Sequence, residues 1–171
     1  MLSTRIRLFH RSINGKLAFV TSNQRLELDQ TDAEILQTLQ TDGRISTADL
    51  ARVIHLSPSS TADRVRRLVD FGVISGYRAV VEPAAVGYPI SAFIRLRYPS
   101  GNYRAFDELL ANTPEVVEAH HVTGDDCFIL KVIARSMADL ERIAGRIAGL
   151  GAITTSVVYS TPLAARQVAP A

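Results

Sequence analysis

The stretch "HLSPSSTADRVRRLVDFGVISGYRAV" (residues 55–80) opens on a run of hydroxyls around a proline. It then carries three arginines in four positions and passes through a glycine into an alternating apolar run. Ser57 reads as the cap of a helix whose first position is Pro58, where a fixed φ fits and the missing N–H would be unpaired anyway. At 100° per residue, Ala62, Val65, Leu68 and Val69 fall on one side of that helix. Ser59, Ser60, Asp63, Arg64 and Arg67 fall on the opposite side, with Arg66 on the rim. Gly72 ends the helix, and "VISGYRAVV" reads as two β segments around a Ser-Gly turn, a small wing. The pattern predicts a helix seated on a core, with hydroxyls and guanidinium groups turned towards something negative.

Two further helix starts lie upstream. In "TDAEILQTLQ" (31–40), Thr31 with Glu34 three residues on reads as a capping box, and Ile35, Leu36 and Leu39 mark an apolar face. In "GRISTADLARVI" (43–54), Gly43 stops the first helix, Ser46 caps the second, and Leu50, Val53 and Ile54 point inward. Only His55 and Leu56 separate this helix from Ser57. Three short capped helices with a tight second turn are the sequence form of a helix-turn-helix, assigned to residues 26–81. A charged face on an isolated helix is usually just solvated. Here the short turn, the Ser-Pro-Ser-Ser start and the wing favour a recognition helix. Its arginines can pair with guanine edges or phosphates, and its hydroxyls and N-terminus suit phosphate oxygens.

"EPAAVGYP" (82–89) has two prolines and a glycine and reads as a hinge. Beyond it the order is strand (90–98), helix (102–112), strand (116–122), strand (127–134), helix (136–150) and strand (153–160). That βαββαβ order predicts a ferredoxin-like domain over 90–163, with a tail at 164–171. The fold class is therefore α+β, a winged or plain helix-turn-helix followed by a ferredoxin-like βαββαβ domain. Ile90, Ala92, Ile94 and Leu96 alternate with Ser91, Phe93, Arg95 and Arg97, while Ile129 and Ile133 lie opposite Phe128, Leu130 and Val132. A sheet apolar on both faces, with helices for only one, needs another cover, and a second subunit is the simplest.

Composition narrows the class further. The chain has 171 residues, 47% hydrophobic and 21% charged, which excludes wholesale disorder. Its single cysteine excludes an intramolecular disulfide framework and fits a reducing compartment. With no apolar run near the ~18 residues of a membrane span, the sequence reads as soluble and cytosolic. The formal net charge of +2 is unevenly spread. Residues 1–25 carry Arg5, Arg7, Arg11, Lys16 and Arg25 without an acid, whereas residues 26–81 sum to −2 and 82–171 to −1. Any case for nucleic acid rests on where charges sit, with residues 1–25 read as a basic extension that adds non-specific phosphate attraction, forms a short strand ("KLAFV") on the helical domain, or has no role.

In "LDQTDAEILQTLQTDGRIS" (28–46), "LSPSSTADRVRRLVDFGVISGY" (56–77) and "VTGDDCFILKV" (122–132) the chain resembles the leucine-responsive/asparagine regulator (Lrp/AsnC) family of transcription factors. The resemblance spans about residues 26–163. It implies a dimer that assembles into a tetramer or octamer, binds double-stranded DNA near promoters and responds to an amino-acid effector. The DNA-binding candidates are Arg44, Ser57, Ser59, Ser60, Thr61, Arg64, Arg66 and Arg67. The effector candidates are Thr123, Gly124, Asp125 and Asp126, matching the loop near which family members hold an amino acid. The chain reads Gly124-Asp125-Asp126-Cys127 where the family often has Gly-x-aromatic-Asp.

The remaining motifs point elsewhere. His120 and His121 are strand neighbours, so their side chains face opposite ways and cannot share a metal. Cys127 opens an apolar strand and reads as a small hydrophobe. "GRIAGLG" (145–151) ends a helix instead of opening one after a strand, so it is no phosphate loop. No catalytic residue, metal ligand or cofactor motif is assigned. Two alternatives stand beside a ligand-responsive regulator. One is an architectural DNA-binding protein without an effector. The other is an enzyme akin to the decarboxylases of haem synthesis built on the same two domains, for which His120, His121 and Arg95 are the candidates.

Overall fold

The computed structural model describes residues 26–99, 103–125 and 127–171. The chain divides into two compact units, one running to Gly76 and including Gln167–Ala171, the other Tyr77–Arg166. The basic extension assigned to residues 1–25 lies outside the described residues.

Among the described residues the first unit holds three helices: α1 (Gln30–Thr41), α2 (Thr47–Val53) and α3 (Pro58–Asp70). Ser46 and Ser57 cap α2 and α3 as the sequence predicts, each side chain accepting the N–H three residues on. The cap of α1 differs from the expectation. Asp29, not Thr31, is the N-cap; it accepts the Asp32 N–H at 2.8 Å while Asp32 accepts the Asp29 N–H at 3.3 Å. This is a capping box built from two aspartates. Ile35, Leu50, Ile54 and Leu68 meet in the centre, with Leu36, Leu39, Val65 and Ile74 packed around them. Val53 and Val69, expected inside, are exposed.

The wing does not form. Residues 75–82 carry no regular structure, and Tyr77, Val80 and Val81 are exposed. A two-stranded ribbon is marginal without a surface to bury one face, and Tyr77, Val80 and Val81 leave theirs in water.

The second unit follows the predicted order. A short 3-10 helix (Pro83–Val86) precedes β1 (Ile90–Arg97), α4 (Arg104–Ala111), β2 (Val116–His121), β3 (Phe128–Ala134), α5 (Met137–Ala148) and β4 (Ala152–Val157). The strands form one antiparallel sheet in the order β2-β3-β1-β4. Its covered face supplies Ala92, Ile94 and Leu96 from β1 and Phe128, Leu130 and Val132 from β3. These pack on Phe106 of α4 and on Leu140, Ile143 and Ile147 of α5. The opposite face carries Phe93, Arg95, Ile129, Lys131, Ile133 and Thr154, in register with one another across the sheet. Gly151 follows from a close approach, since a Cβ there would lie 2.2 Å from the Arg97 carbonyl oxygen where β4 begins pairing with β1.

The start of α5 is tied by charge. Ser136 caps it, and the Asp139 carboxylate accepts the Arg135 N–H and Nε, both at 3.1 Å, and Arg142 Nη2 at 2.7 Å. Arg142 also reaches Glu115 at 2.8 Å. Hydrogen bonds from Arg135 and then Arg142 hold the Asp139 carboxyl well below the usual carboxylate range. A carboxyl depressed in the folded state stabilises the fold above its ordinary value of about 3.9. That stabilisation is lost as pH falls from there through the lower folded value. Asp139→Asn is therefore expected to lower stability at pH 7 and to flatten the acid limb below about pH 4. Urea titrations at pH 7, 4 and 3 check this; parallel limbs for the two proteins would contradict it.

Candidate nucleic-acid interface

The local chemistry of α3 decides what its arginines can reach. Its buried residues are Thr61 and Leu68, with Val65 between them. The inward face is thus centred on Thr61, Val65 and Leu68, turned from the Ala62, Val65, Leu68 and Val69 stripe expected from the sequence. Thr61 is accordingly a correction to the DNA-binding candidates. It is fully buried, and its hydroxyl donates to the Ser57 carbonyl at 2.9 Å.

The same turn of the helix brings two arginines to the flank of the core. Arg64 Nη1 donates to Asp29 at 2.7 Å and to Asp32 at 2.9 Å, and Arg67 Nη2 donates to the other Asp32 oxygen at 2.5 Å. Asp32 is fully buried, while the Arg64 and Arg67 side chains are 29% and 40% exposed. The Asp32 N–H and then the Arg64 guanidinium hold the Asp29 carboxyl below its usual range. Arg64 is raised in turn, first by Asp29 and then by Asp32. The cluster pins the middle of α3 to the first turn of α1.

What remains outward is the start of α3 and its outer edge. Ser57 Oγ donates to Ser60 Oγ at 2.9 Å and lies 3.1 Å from Ser59 Oγ, which sets three hydroxyls in one exposed group at the helix N-terminus. Arg66 lies along the outer face, 69% exposed, in a solvent pair with Asp63 at 3.2 Å. Arg44 is exposed in the turn between α1 and α2, its N–H donating to Asp42 at 2.9 Å. The tight turn into α3 passes through His55, whose φ of 55° makes it the one non-glycine residue with positive φ among the described residues. The Leu56 N–H closes the turn on the Ala51 carbonyl at 3.0 Å. Together, a capped α2, a two-residue turn and an outward α3 start make a surface whose hydroxyls, backbone dipole and guanidinium group suit phosphates and groove edges.

The sequence reading missed the Asp29–Asp32 anchor. A signal was present, since Asp32 is spaced three and four residues before Ile35 and Leu36 and so falls on the apolar stripe of α1. A carboxylate on that stripe has to be paired.

In the second unit, the effector candidates lie in the loop between β2 and β3. The Val122 N–H donates to the Cys127 carbonyl at 3.0 Å across its base, and Thr123, Gly124 and Asp125 are exposed, with Gly124 at φ 111°. Asp126 lies outside the described residues. The Cys127 thiol donates to the Tyr98 carbonyl at 3.2 Å. His121 stacks on Phe128 with ring centroids 4.8 Å apart, while His120 lies 3.6 Å from Glu118. Beside them, the described residues hold no cluster of three potential metal ligands and no helix long and apolar enough to cross a membrane.

In chain order, a helix-turn-helix unit is followed by a four-stranded ferredoxin-like unit. Residues 28–69 match the AsnC-type helix-turn-helix domain and residues 91–168 the Lrp/AsnC ligand binding domain. The leucine-responsive regulatory protein of Rhizobium meliloti is 38% identical over 147 residues, covering 84% of this chain and 93% of its own. The chain belongs to the Lrp/AsnC family and is a transcriptional regulator of that type. The structure of LrpC from B. subtilis is similar with a TM-score of 0.78 at 29% identity, covering 82% of this chain and all of that one. The feast or famine regulatory protein from M. tuberculosis, solved in complex with L-methionine, is similar with a TM-score of 0.77 at 31% identity, covering 84% and 100%.

Proposed function

We propose that this protein is a sequence-specific DNA-binding regulator whose assembly and DNA binding respond to a small effector, an amino acid. The observation that carries the reading is the outward start of α3. Ser57, Ser59 and Ser60 lie there on a helix N-terminus, with Arg66 on the outer face, while Arg64 and Arg67 hold the helix from behind. In this reading Ser57, Ser59, Ser60 and Arg66 meet the DNA directly, Arg44 adds a phosphate contact, and Arg64 and Arg67 fix the angle at which α3 is presented. The L-methionine bound by the M. tuberculosis relative supports an amino acid as the effector class, with the loop at Thr123, Gly124 and Asp125 as its candidate site.

A second copy of the chain covers the open sheet face in this reading, where Phe93 is 41% exposed and Ile129 and Ile133 are half-buried. A two-fold assembly presents two α3 helices and so reads a two-fold site. An effector acts on it by binding one assembly more tightly than another. Selection from a randomised duplex pool, with and without millimolar L-methionine, tests this. The expected outcome is enrichment of a motif with two-fold symmetry, its half-sites one helical turn or a multiple apart. Enrichment of bendable or A·T-rich DNA without a motif would favour the architectural alternative.

A further inference from the structure

The last residues of the chain belong to the helix-turn-helix unit, although they follow the ferredoxin-like unit in sequence. At the exposed C-terminal end of α1, the Gln40 side-chain amide takes both backbone groups of Val168. Nε2 donates to the Val168 carbonyl at 3.0 Å, and Oε1 accepts the Val168 N–H at 2.9 Å. Gln167 Nε2 donates to Thr41 Oγ1 at 2.7 Å. Gln40 is braced by a further bond from Nε2 to the Leu36 carbonyl at 3.1 Å. This is the two-bond pattern by which one strand residue captures its neighbour, made here by a side chain. It reads backbone and not side chain, and Val168 stays 75% exposed.

We propose that Gln167–Ala171 is a strap that secures the helix-turn-helix unit by a second chain connection. The first connection is the segment from Tyr77 to Pro89. The second runs from β4 through residues 158–166 to the Gln40–Val168 clamp on α1. The strap narrows the orientations open to α3, which preorganises the protein for one spacing of half-sites. Preorganisation of this kind raises affinity by cutting the entropy lost on binding. The effect on DNA rests on the regulator reading above; the strap itself does not.

Three proteins test it: the full chain, Gln40→Ala, and a chain ending at Arg166. Both changes lie at exposed positions, and thermal melts confirm folding. Carboxypeptidase digestion followed by intact mass is expected to trim Gln40→Ala about five- to tenfold faster than the full chain. On duplexes with the selected half-sites at varied spacing, both variants are expected to lose about fivefold affinity at the best spacing and to show a flatter profile. Joining the two changes should add nothing further. Equal trimming of the full chain and Gln40→Ala would overturn the strap. Faster trimming with an unchanged spacing profile would overturn its part in DNA binding. A full chain that binds no duplex would instead defeat the regulator reading, and the digestion would still decide the strap.

Discussion

Asp32→Ala is expected to destabilise the helix-turn-helix unit by about 2–4 kcal/mol, which lowers its melting temperature by roughly 10–25 °C. The carboxylate is fully buried and accepts from Arg64, Arg67 and the Asp29 N–H. Removing it strips Arg67 of its carboxylate partner while Arg67 Nε is already buried without one. The figure sits at or below the ~3–5 kcal/mol typical of breaking a fully buried pair. Arg67 can turn part-way into water, and Arg64 keeps Asp29 at 2.7 Å. Asp32→Asn separates the two roles of this side chain. An amide oxygen can still cap Asp29, so the loss should be smaller by roughly the ~1 kcal/mol a cap contributes. Thermal unfolding of both variants checks this, and a loss under about 0.5 kcal/mol for Asp32→Ala would show that the cluster does not hold α3.

The second large effect separates arginines that lie three helix positions or fewer apart. Arg66→Ala removes an exposed side chain whose pair with Asp63 lies in solvent, so stability should change by less than about 0.5 kcal/mol. Its effect belongs to DNA. Affinity should fall about tenfold, and the slope of log K against log salt should lose about one unit, the signature of one phosphate contact. Arg67→Ala should do the reverse, destabilising the unit by about 1–3 kcal/mol while the folded protein keeps its salt slope. Isothermal binding at several salt concentrations, run well below the melting temperature, distinguishes them. If Arg67→Ala removed a unit of slope and left stability alone, Arg67 would be a DNA contact.

Much of the fold was legible because burial writes period two into strands and near-four into helices. Ala92, Ile94 and Leu96 alternate with exposed neighbours and are fully buried; the Ser46 and Ser57 caps fall where their spacing puts them. The site was less legible, for two physical reasons. An amphipathic pattern locates a face only to within about half a residue step. On α3 that margin exchanges Ala62 for Thr61 at the centre, turning Arg64 towards the core and Arg66 away from it. The partners of Arg64 and Arg67 lie about 35 positions earlier in the chain, a separation that periodicity within α3 does not report. The wing is absent because alternation in "VISGYRAVV" describes strand propensity, while pairing needs a surface to cover. The loop at Gly124 was placed by resemblance alone, and its chemistry depends on what faces it.

Fluorescence anisotropy decides whether the protein reads sequence through the outer start of α3. The full chain is titrated with the DNA upstream of its own gene and with a scrambled duplex at ~150 mM salt, where non-specific attraction is screened. At least about a thousandfold preference for the upstream DNA is expected, in the range of specific regulators, with Arg66→Ala weakening both complexes. Equal affinity for the two duplexes, unmoved by Arg66→Ala, would contradict it.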